Sequence, residues 1–200
     1  FKFRSTSMEF DGIPHSVLVQ RRIWNVSNAD SEFAKVHNNE IPVVLVPRWA
    51  SFFSSFVVVP TGPYILWQKW HKNQGELSPG VKWCWPAWNR VSHVVTKATL
   101  TYNAPAKNCP TADNVMVNVD LSLTFRIGPD YKAAETFVYD IGAHRFDELL
   151  AAKTEEAIRG LIYSVTHDKV IDLREDFATG VMQTLNDQCK PYGVEIMNVK

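Results

Sequence analysis

The sequence has few cysteines and no excess of charge of either sign. Its 200 residues include three cysteines, Cys84, Cys109 and Cys189, an odd and dispersed set that argues against a disulfide framework and favours a reducing compartment. Lys and Arg together number 21, as do Asp and Glu, so the formal net charge is zero. This balance favours neither a nucleic-acid partner nor an acidic store of cations.

Motifs that carry catalysis are scarce. No glycine-rich phosphate loop occurs. His167–Asp168 lies near Ser164, but a hydrolytic triad needs a mutual geometry that adjacency in sequence does not provide. A histidine placed favourably at the C-terminus of a helix explains this pattern better. Glu155 and Glu156 are adjacent and would point apart on a helix, which is typical of a solvated face. We expect no catalytic residue and no enzymatic activity.

Metal and cofactor motifs are absent as well. Cys84, Cys109 and His93 could bind zinc only if the fold brought them together, because no C-x-x-C or H-x-x-x-H spacing is present. We expect no metal site and no cofactor.

No uninterrupted apolar run is long enough for a transmembrane helix. Such a helix needs about 20 predominantly apolar residues, whereas the apolar stretches at 41–46 and 49–59 are separated by Pro47–Arg48. Two interpretations of these stretches remain open, a shallow contact with lipid and a buried pair of strands.

One segment alternates apolar and polar residues with period two. The apolar positions are Val115, Val117, Val119, Leu121, Leu123, Phe125 and Ile127. Successive side chains of a strand point to opposite faces, so this segment is predicted to be a strand with one buried and one solvent-exposed face. It ends at Gly128-Pro129-Asp130, and the sequence after it reads as helical.

The sequence before this strand predicts mostly β-structure. Residues 1–40 are read as an N-terminal extension of unknown structure, with one strand at 17–26 and a helical turn at 31–36. Residues 41–130 are predicted to form a β-rich half. In it we expect a strand, a turn at 60–63 and a second strand from Tyr64 to Lys72, followed by strands at 81–88, 89–97 and 100–103.

Residues 131–200 are predicted to form a helical half. A short helix at 131–139 precedes an amphipathic helix of about five turns, from Phe146 to Val165. A second helix begins at Asp172, which has the spacing of a capping box with Glu175. Its apolar stripe is Leu173, Phe177, Val181, Leu185 and Cys189. A closing strand follows at 194–199, so the fold class is α+β.

Five ordered motifs resemble the SPFH, or Band 7, family, which includes stomatins, prohibitins, flotillins and HflK/HflC-like proteins. The resemblance runs from about Phe56 to Lys200. The most specific match is Thr111-Ala112-Asp113-Asn114-Val115-Met116-Val117-Asn118-Val119-Asp120, which is similar to the family's T-x-D-x-V-x-V-x-V-D strand. The others are Val59-Pro60-Thr61-Gly62, Leu77 to Lys82 with Trp85-Pro86, Leu150 to Leu161, and Leu173 to Asp176 with Tyr192 to Ile196.

The resemblance implies an SPFH domain with a twisted antiparallel β-rich half, a helical half and a closing strand. It also implies a membrane-associated scaffold that forms homo- or hetero-oligomers of SPFH proteins, at the cytoplasmic face of a membrane or in mitochondria. The β-rich half would contact the lipid surface. The residues expected to touch lipid are aromatic, namely Trp49, Phe52, Phe53, Phe56, Trp83, Trp85 and Trp88.

An alternative function also stays open. The same fold could serve as a structural subunit of a large organellar or cytoskeletal protein assembly, without direct lipid binding. In that case the aromatic residues would lie in a core or against protein partners.

Overall fold

The computed structural model describes residues 17–35, 39–48, 56–85, 88–163 and 174–200. Its strands are β1 Leu18–Ile23, β2 Ile41–Pro47, β3 Phe56–Val59, β4 Tyr64–Lys69, β5 Lys72–Glu76, β6 Gly80–Trp83, β7 Asn89–Val95, β8 Leu100–Pro110, β9 Met116–Ile127 and β10 Val194–Val199. Its helices are α1 Ala29–Phe33, α2 Tyr131–Thr136, α3 Gly142–Tyr163 and α4 Arg174–Cys189, with a π-helical turn at Phe137–Ile141 and 3-10 turns at Val26–Asn28 and Lys190–Tyr192.

Five strands form a central sheet in the order β1-β2-β7-β4-β5. The described part of the predicted N-terminal extension contributes β1 to this sheet. The described strand pairs within residues 41–130 are antiparallel, as expected for the β-rich half, whereas β1, which comes from the predicted extension, runs parallel to β2. The chain between them includes α1, and a parallel pair needs such a crossover, whereas an antiparallel pair can be joined by a tight turn.

A three-stranded antiparallel sheet has the order β10-β9-β8. The alternation predicted for β9 is confirmed: Leu121, Leu123, Phe125 and Ile127 are buried, and the residues between them are less buried. Three residues predicted for the buried face, near the start of the segment, are not buried: Val117 and Val119 are half-buried, and Val115, just before β9, is 40% exposed. The closing strand β10 has the predicted bounds, and β8 continues beyond the predicted 100–103.

The helical half differs from the predicted pattern at its first junction. Instead of ending near Tyr139, α2 continues through the π-helical turn into α3, with a break at Gly142, whose φ is +73°. The predicted buried stripe of α4 is confirmed at Val181, Leu185 and Cys189. The predicted start at Asp172 and its capping box lie outside the described residues.

The central sheet separates two hydrophobic cores. Val44 and Leu66 on one face contribute to the larger core, which includes α3, α4 and the three-stranded sheet. Leu45 and Ile65 on the other face contribute to a smaller core beneath α1 and a two-stranded ribbon formed by β3 and β6. The ribbon therefore lies with α1 on one side of the central sheet, and α3 and α4 lie on the other.

Long-range hydrogen bonds join the first strand to the helical half. The buried Asp147 carboxylate of α3 accepts the backbone N–H of Val17 (3.1 Å) and of Leu18 (3.4 Å). The Tyr64 hydroxyl donates to the carbonyl oxygen of Pro129 (2.6 Å), at the junction between β9 and α2. These bonds fix the helical half against one face of the central sheet.

Candidate lipid-contact surface

The outer face of the β3–β6 ribbon is apolar and open to solvent. In its register Phe56 lies opposite Trp83, and Val58 lies opposite Val81. The exposed fractions of these side chains are 66% for Phe56, 64% for Trp83, 51% for Val58 and 66% for Val81. An antiparallel pair with one buried face normally presents polar residues on the other. A contiguous apolar surface of this kind is typical of an interaction site.

Three more tryptophans extend this surface beyond the ribbon. The ring of Trp83 lies edge-on to that of Trp85 at a centroid distance of 6.1 Å, and Trp85 lies 6.0 Å from Trp88. Trp88 stacks on Trp70 at 5.9 Å, with 15° between the ring planes. We call Phe56, Trp83, Trp85, Trp88 and Trp70 the aromatic row. It joins the ribbon to the turn between β4 and β5.

The inner face of the ribbon anchors the surface to the fold. Val57 and Val59 are buried in the smaller core, as is Cys84 directly after β6. The Cys84 thiol donates a hydrogen bond to the carbonyl oxygen of Asn89 (3.2 Å), and burial raises the pKa of this thiol. All three cysteines are buried, and none of them forms a disulfide. Cys84 therefore packs as a small apolar residue between the ribbon and β7.

The turn at Trp70–His71 has an unusual backbone. Lys69 pairs with Lys72 across a two-residue loop, and the φ angles of Trp70 and His71 are +52° and +60°. A two-residue hairpin loop with positive φ at both positions strongly favours Asn-Gly. The predicted strand from Tyr64 to Lys72 is wrong at its end, because β4 ends at Lys69 and the chain turns back. Neither turn residue carries the Gly, Pro, Asn or Asp signal of a turn, so Trp70 was missed as part of the surface.

The region around the aromatic row is rich in basic residues. Positions 41–97 contain six Lys or Arg residues and a single acidic residue, Glu76. Glu76 pairs with Lys97 (3.2 Å), whose ammonium group also lies 4.2 Å from the centre of the Tyr64 ring. Lys69 and Lys72 flank the turn, are exposed and form no ion pair with another described residue.

A polar cluster lies where the central sheet meets the π-helical turn. The buried Gln68 side chain donates to the Tyr139 hydroxyl (2.8 Å) and accepts a hydrogen bond from Arg90 (3.0 Å). His93 lies edge-on to the Tyr139 ring at 6.0 Å and shares a 2.6 Å hydrogen bond with Ser92. Burial, and secondarily the charge of Arg90, lower the pKa of His93. These contacts join the central sheet to the π-helical turn and so hold the two halves against each other.

The architecture and motif order are matched by a known family. A model described as the SPFH domain / Band 7 family matches residues 57–200 of the chain. The chain belongs to this family. Its members are membrane-associated scaffolds that form oligomers, and they are generally non-enzymatic. The match confirms the predicted α+β SPFH fold and begins within one residue of the predicted start at Phe56.

Individual relatives are more distant. An uncharacterized protein of Archaeoglobus fulgidus is 26% identical over 107 residues, which is 54% of this chain and 41% of that protein. Proteins named stomatin-like protein 2, mitochondrial, from Rattus norvegicus and Homo sapiens are each 25% identical over 121 residues, or 60% of this chain. The chain spans about a third to two-fifths of the length of these curated relatives.

The SPFH domain brings together four of the seven residues expected to touch lipid. Phe56, Trp83, Trp85 and Trp88 lie in the aromatic row, and Trp85 is the least exposed of them. The other three, Trp49, Phe52 and Phe53, lie outside the described residues. Of the two apolar stretches, the first contains strand β2 of the central sheet, and the described part of the second is β3, which has one exposed face. In the described residues they do not form the buried pair of strands that one interpretation expected, because β2 pairs with β1 and β7 whereas β3 pairs with β6.

Catalytic and metal-binding geometry is not found in the described part of this SPFH domain. Glu155 and Glu156 are exposed and pair with Arg159 (2.6 Å) and Lys153 (2.8 Å). No group of three or more His, Cys, Asp or Glu residues in the described ranges could hold a metal ion. Ser164 and His167–Asp168 lie outside those ranges. Among the helices that are described, none is both long and apolar enough to cross a bilayer.

Proposed function

We propose that this chain is the SPFH domain of a non-enzymatic, membrane-associated scaffold that contacts the lipid surface through the aromatic row and the outer face of the β3–β6 ribbon. In this proposal residues 41–130 form the lipid-facing half. Residues 131–200 form a helical half that faces away from the membrane.

The observation that carries the proposal is the apolar outer face of the ribbon. All four of its side chains are at least half exposed, and two of them are valines, which have no polar group to hydrate. Fully burying one such side chain is worth about 1.5–3 kcal/mol, so this face gains from leaving water. The tryptophans beside it suit the bilayer interface because their rings are apolar and their N–H groups can stay hydrated.

The scaffold role rests on the family, whose members assemble on membranes. We propose that copies of this domain, alone or with other SPFH proteins, oligomerise and organise membrane microdomains or protein complexes. The name of the stomatin-like relatives supports a mitochondrial membrane as one site of action. The cytoplasmic face of another membrane is also compatible with three cysteines that form no disulfide.

A protein-contact function is the alternative. The same apolar face could be covered by a partner in a large assembly without touching lipid, since exposed apolar patches serve both purposes. The lysines around the aromatic row favour lipid, because protein interfaces are depleted of lysine, whereas tryptophan is common at both kinds of interface.

Flotation with liposomes tests the lipid contact. The test variant is Val81→Ser/Trp83→Ser, which makes one strand of the outer face polar while leaving the buried inner face intact. We expect its binding to phosphatidylcholine vesicles to fall about tenfold or more, because two apolar side chains no longer enter the interface.

A control variant makes the same number of apolar-to-serine substitutions at exposed positions elsewhere in the fold. Met116→Ser/Met197→Ser replaces two exposed apolar residues of the three-stranded sheet and should bind vesicles like the unmodified chain. Circular dichroism verifies that both variants fold. Equal binding by the test variant and the control would overturn the lipid contact. Loss of self-association in the test variant, measured by analytical ultracentrifugation without lipid, would instead support the protein-contact function.

A further inference from the structure

We infer that the turn between β4 and β5, with Lys69 and Lys72 beside Trp70 and His71, binds anionic lipid headgroups, so that the surface this domain contacts is a negatively charged bilayer. The inference rests on the proposed lipid contact and specifies the chemistry of the lipid. The inference extends the lipid-contact surface to Trp70 and His71, which the sequence predicts to lie within a continuous strand.

The turn is structurally continuous with the aromatic row. Trp70 stacks on Trp88 with nearly parallel rings (15°), and its backbone N–H donates to the carbonyl oxygen of Trp88 (2.9 Å). Trp88 in turn contacts Trp85. A bilayer that meets the row at Trp83 and Trp88 therefore also meets the turn.

The backbone of the turn indicates that its residues serve a purpose other than stability. Non-glycine residues seldom adopt positive φ, and bulky residues do so least. Here Trp70 and His71 both adopt it, in a loop where Asn-Gly would fit without strain. Strained positions of this kind concentrate at sites that hold ligands. The strain presents an exposed Trp ring and an exposed imidazole at the tip of the hairpin.

The charge at the turn complements a phosphate-rich surface. Lys69 and Lys72 are directly paired across the hairpin, so both are held at its tip. The acidic residue nearest in sequence, Glu76, lies at the other end of β5 and is neutralised by Lys97. A lysine beside an anionic leaflet contributes by simple charge attraction that weakens with salt.

The lysine ammonium groups and the tryptophan ring of the turn suit two adjacent depths of the bilayer interface. Tryptophan rings lie at the level between headgroups and acyl chains, and lysines extend toward the phosphates above them. In the turn both residue types are adjacent in sequence, and Trp70 is 66% exposed. This arrangement fits a bilayer surface better than a free phosphate, which would need no aromatic neighbour.

Vesicle composition separates this inference from the proposed function. Binding is measured for vesicles of phosphatidylcholine alone and for vesicles with about a third phosphatidylserine, at low and high salt. The unmodified chain should bind the anionic vesicles more tightly, by about fivefold for each contacting lysine. Lys69→Gln/Lys72→Gln should lose most of this preference and keep its binding to phosphatidylcholine.

The control is Lys132→Gln/Lys190→Gln, which removes the same charge from two exposed lysines of the helical half and should keep the preference. Equal binding of both vesicle types by the unmodified chain would overturn the inference and leave the lipid contact standing. A preference that survives Lys69→Gln/Lys72→Gln would overturn the assignment to the turn. Absence of binding to either vesicle would overturn the proposed function together with the inference.

Discussion

The two halves of this domain differ in charge and in aromatic content although the chain as a whole is neutral. Residues 41–130 carry eight Lys or Arg, four Asp or Glu and six of the seven tryptophans. Residues 131–200 carry eight Lys or Arg, twelve Asp or Glu and no tryptophan. The zero net charge therefore conceals a basic, tryptophan-rich region and an acidic one.

This difference gives the proposed contact a direction. A negatively charged leaflet attracts the basic region and repels the acidic one, so both forces turn the aromatic row toward the membrane. The central sheet lies between the ribbon and helices α3 and α4. The orientation that brings the aromatic row to the membrane therefore places these helices away from lipid. Composition averaged over the chain cannot reveal this, because it sums over both regions.

The largest expected effect contrasts an aromatic residue of each half. Phe146 of α3 is fully buried and lies edge-on to Phe125 (5.6 Å) and Phe137 (5.3 Å). Phe146→Ala should lower the free energy of unfolding by about 3–5 kcal/mol, since it leaves a cavity. Trp83→Ser should change it by only about 0.5 kcal/mol. Urea denaturation measures both changes. A decrease in the free energy of unfolding for Trp83→Ser as large as that for Phe146→Ala would show that the aromatic row is packed like a core.

A smaller effect of opposite sign is expected at the turn. His71→Gly should raise the free energy of unfolding by about 1 kcal/mol, because glycine adopts positive φ without the cost that His71 bears. Thermal unfolding measures the change, with Gln74→Gly on the neighbouring strand as a destabilising control. A lower melting temperature for His71→Gly would show that the His71 side chain stabilises the turn.

The smallest effect concerns the contact between the halves and depends on pH. Burial and Arg90 lower the pKa of His93 from the 6.5 of a free histidine. The unfolded chain thus takes up a proton near pH 6.5 while the folded protein does not, so the free energy of unfolding decreases as the pH falls below that value. His93→Gln should flatten this decline between pH 7 and pH 5, as followed by urea denaturation. An unchanged slope would assign the decline to other groups.

The sequence predicted the elements whose side-chain pattern is regular. The alternation in β9 from Leu121 to Ile127, and the apolar stripe of α4 at Val181, Leu185 and Cys189, each bury one face as predicted. Residues in irregular conformations were not predictable. Trp70 and His71 carry no turn signal, and their positive φ values are imposed by the pairing of β4 with β5. The parallel pairing of β1 depends on a crossover whose packing no local pattern encodes.

The candidate surface was predictable in its residue types and only partly in its extent. A cluster of tryptophans at 83–88 is visible in the sequence, and its chemistry suits an interface. That Phe56 lies opposite Trp83 depends on the pairing of β3 with β6 across 20 intervening residues, 60–79, which the order of strands along the chain does not reveal.

The hydrogen bonds from Val17 and Leu18 to Asp147 also set an order of events during synthesis. The two amides leave the ribosome 130 and 129 residues before their acceptor. At 5–20 residues per second, the first strand waits roughly 6 to 26 s before Asp147 is made. Throughout that interval these two amide groups lack their native partner, so the start of β1 is among the last parts of the central sheet to be secured.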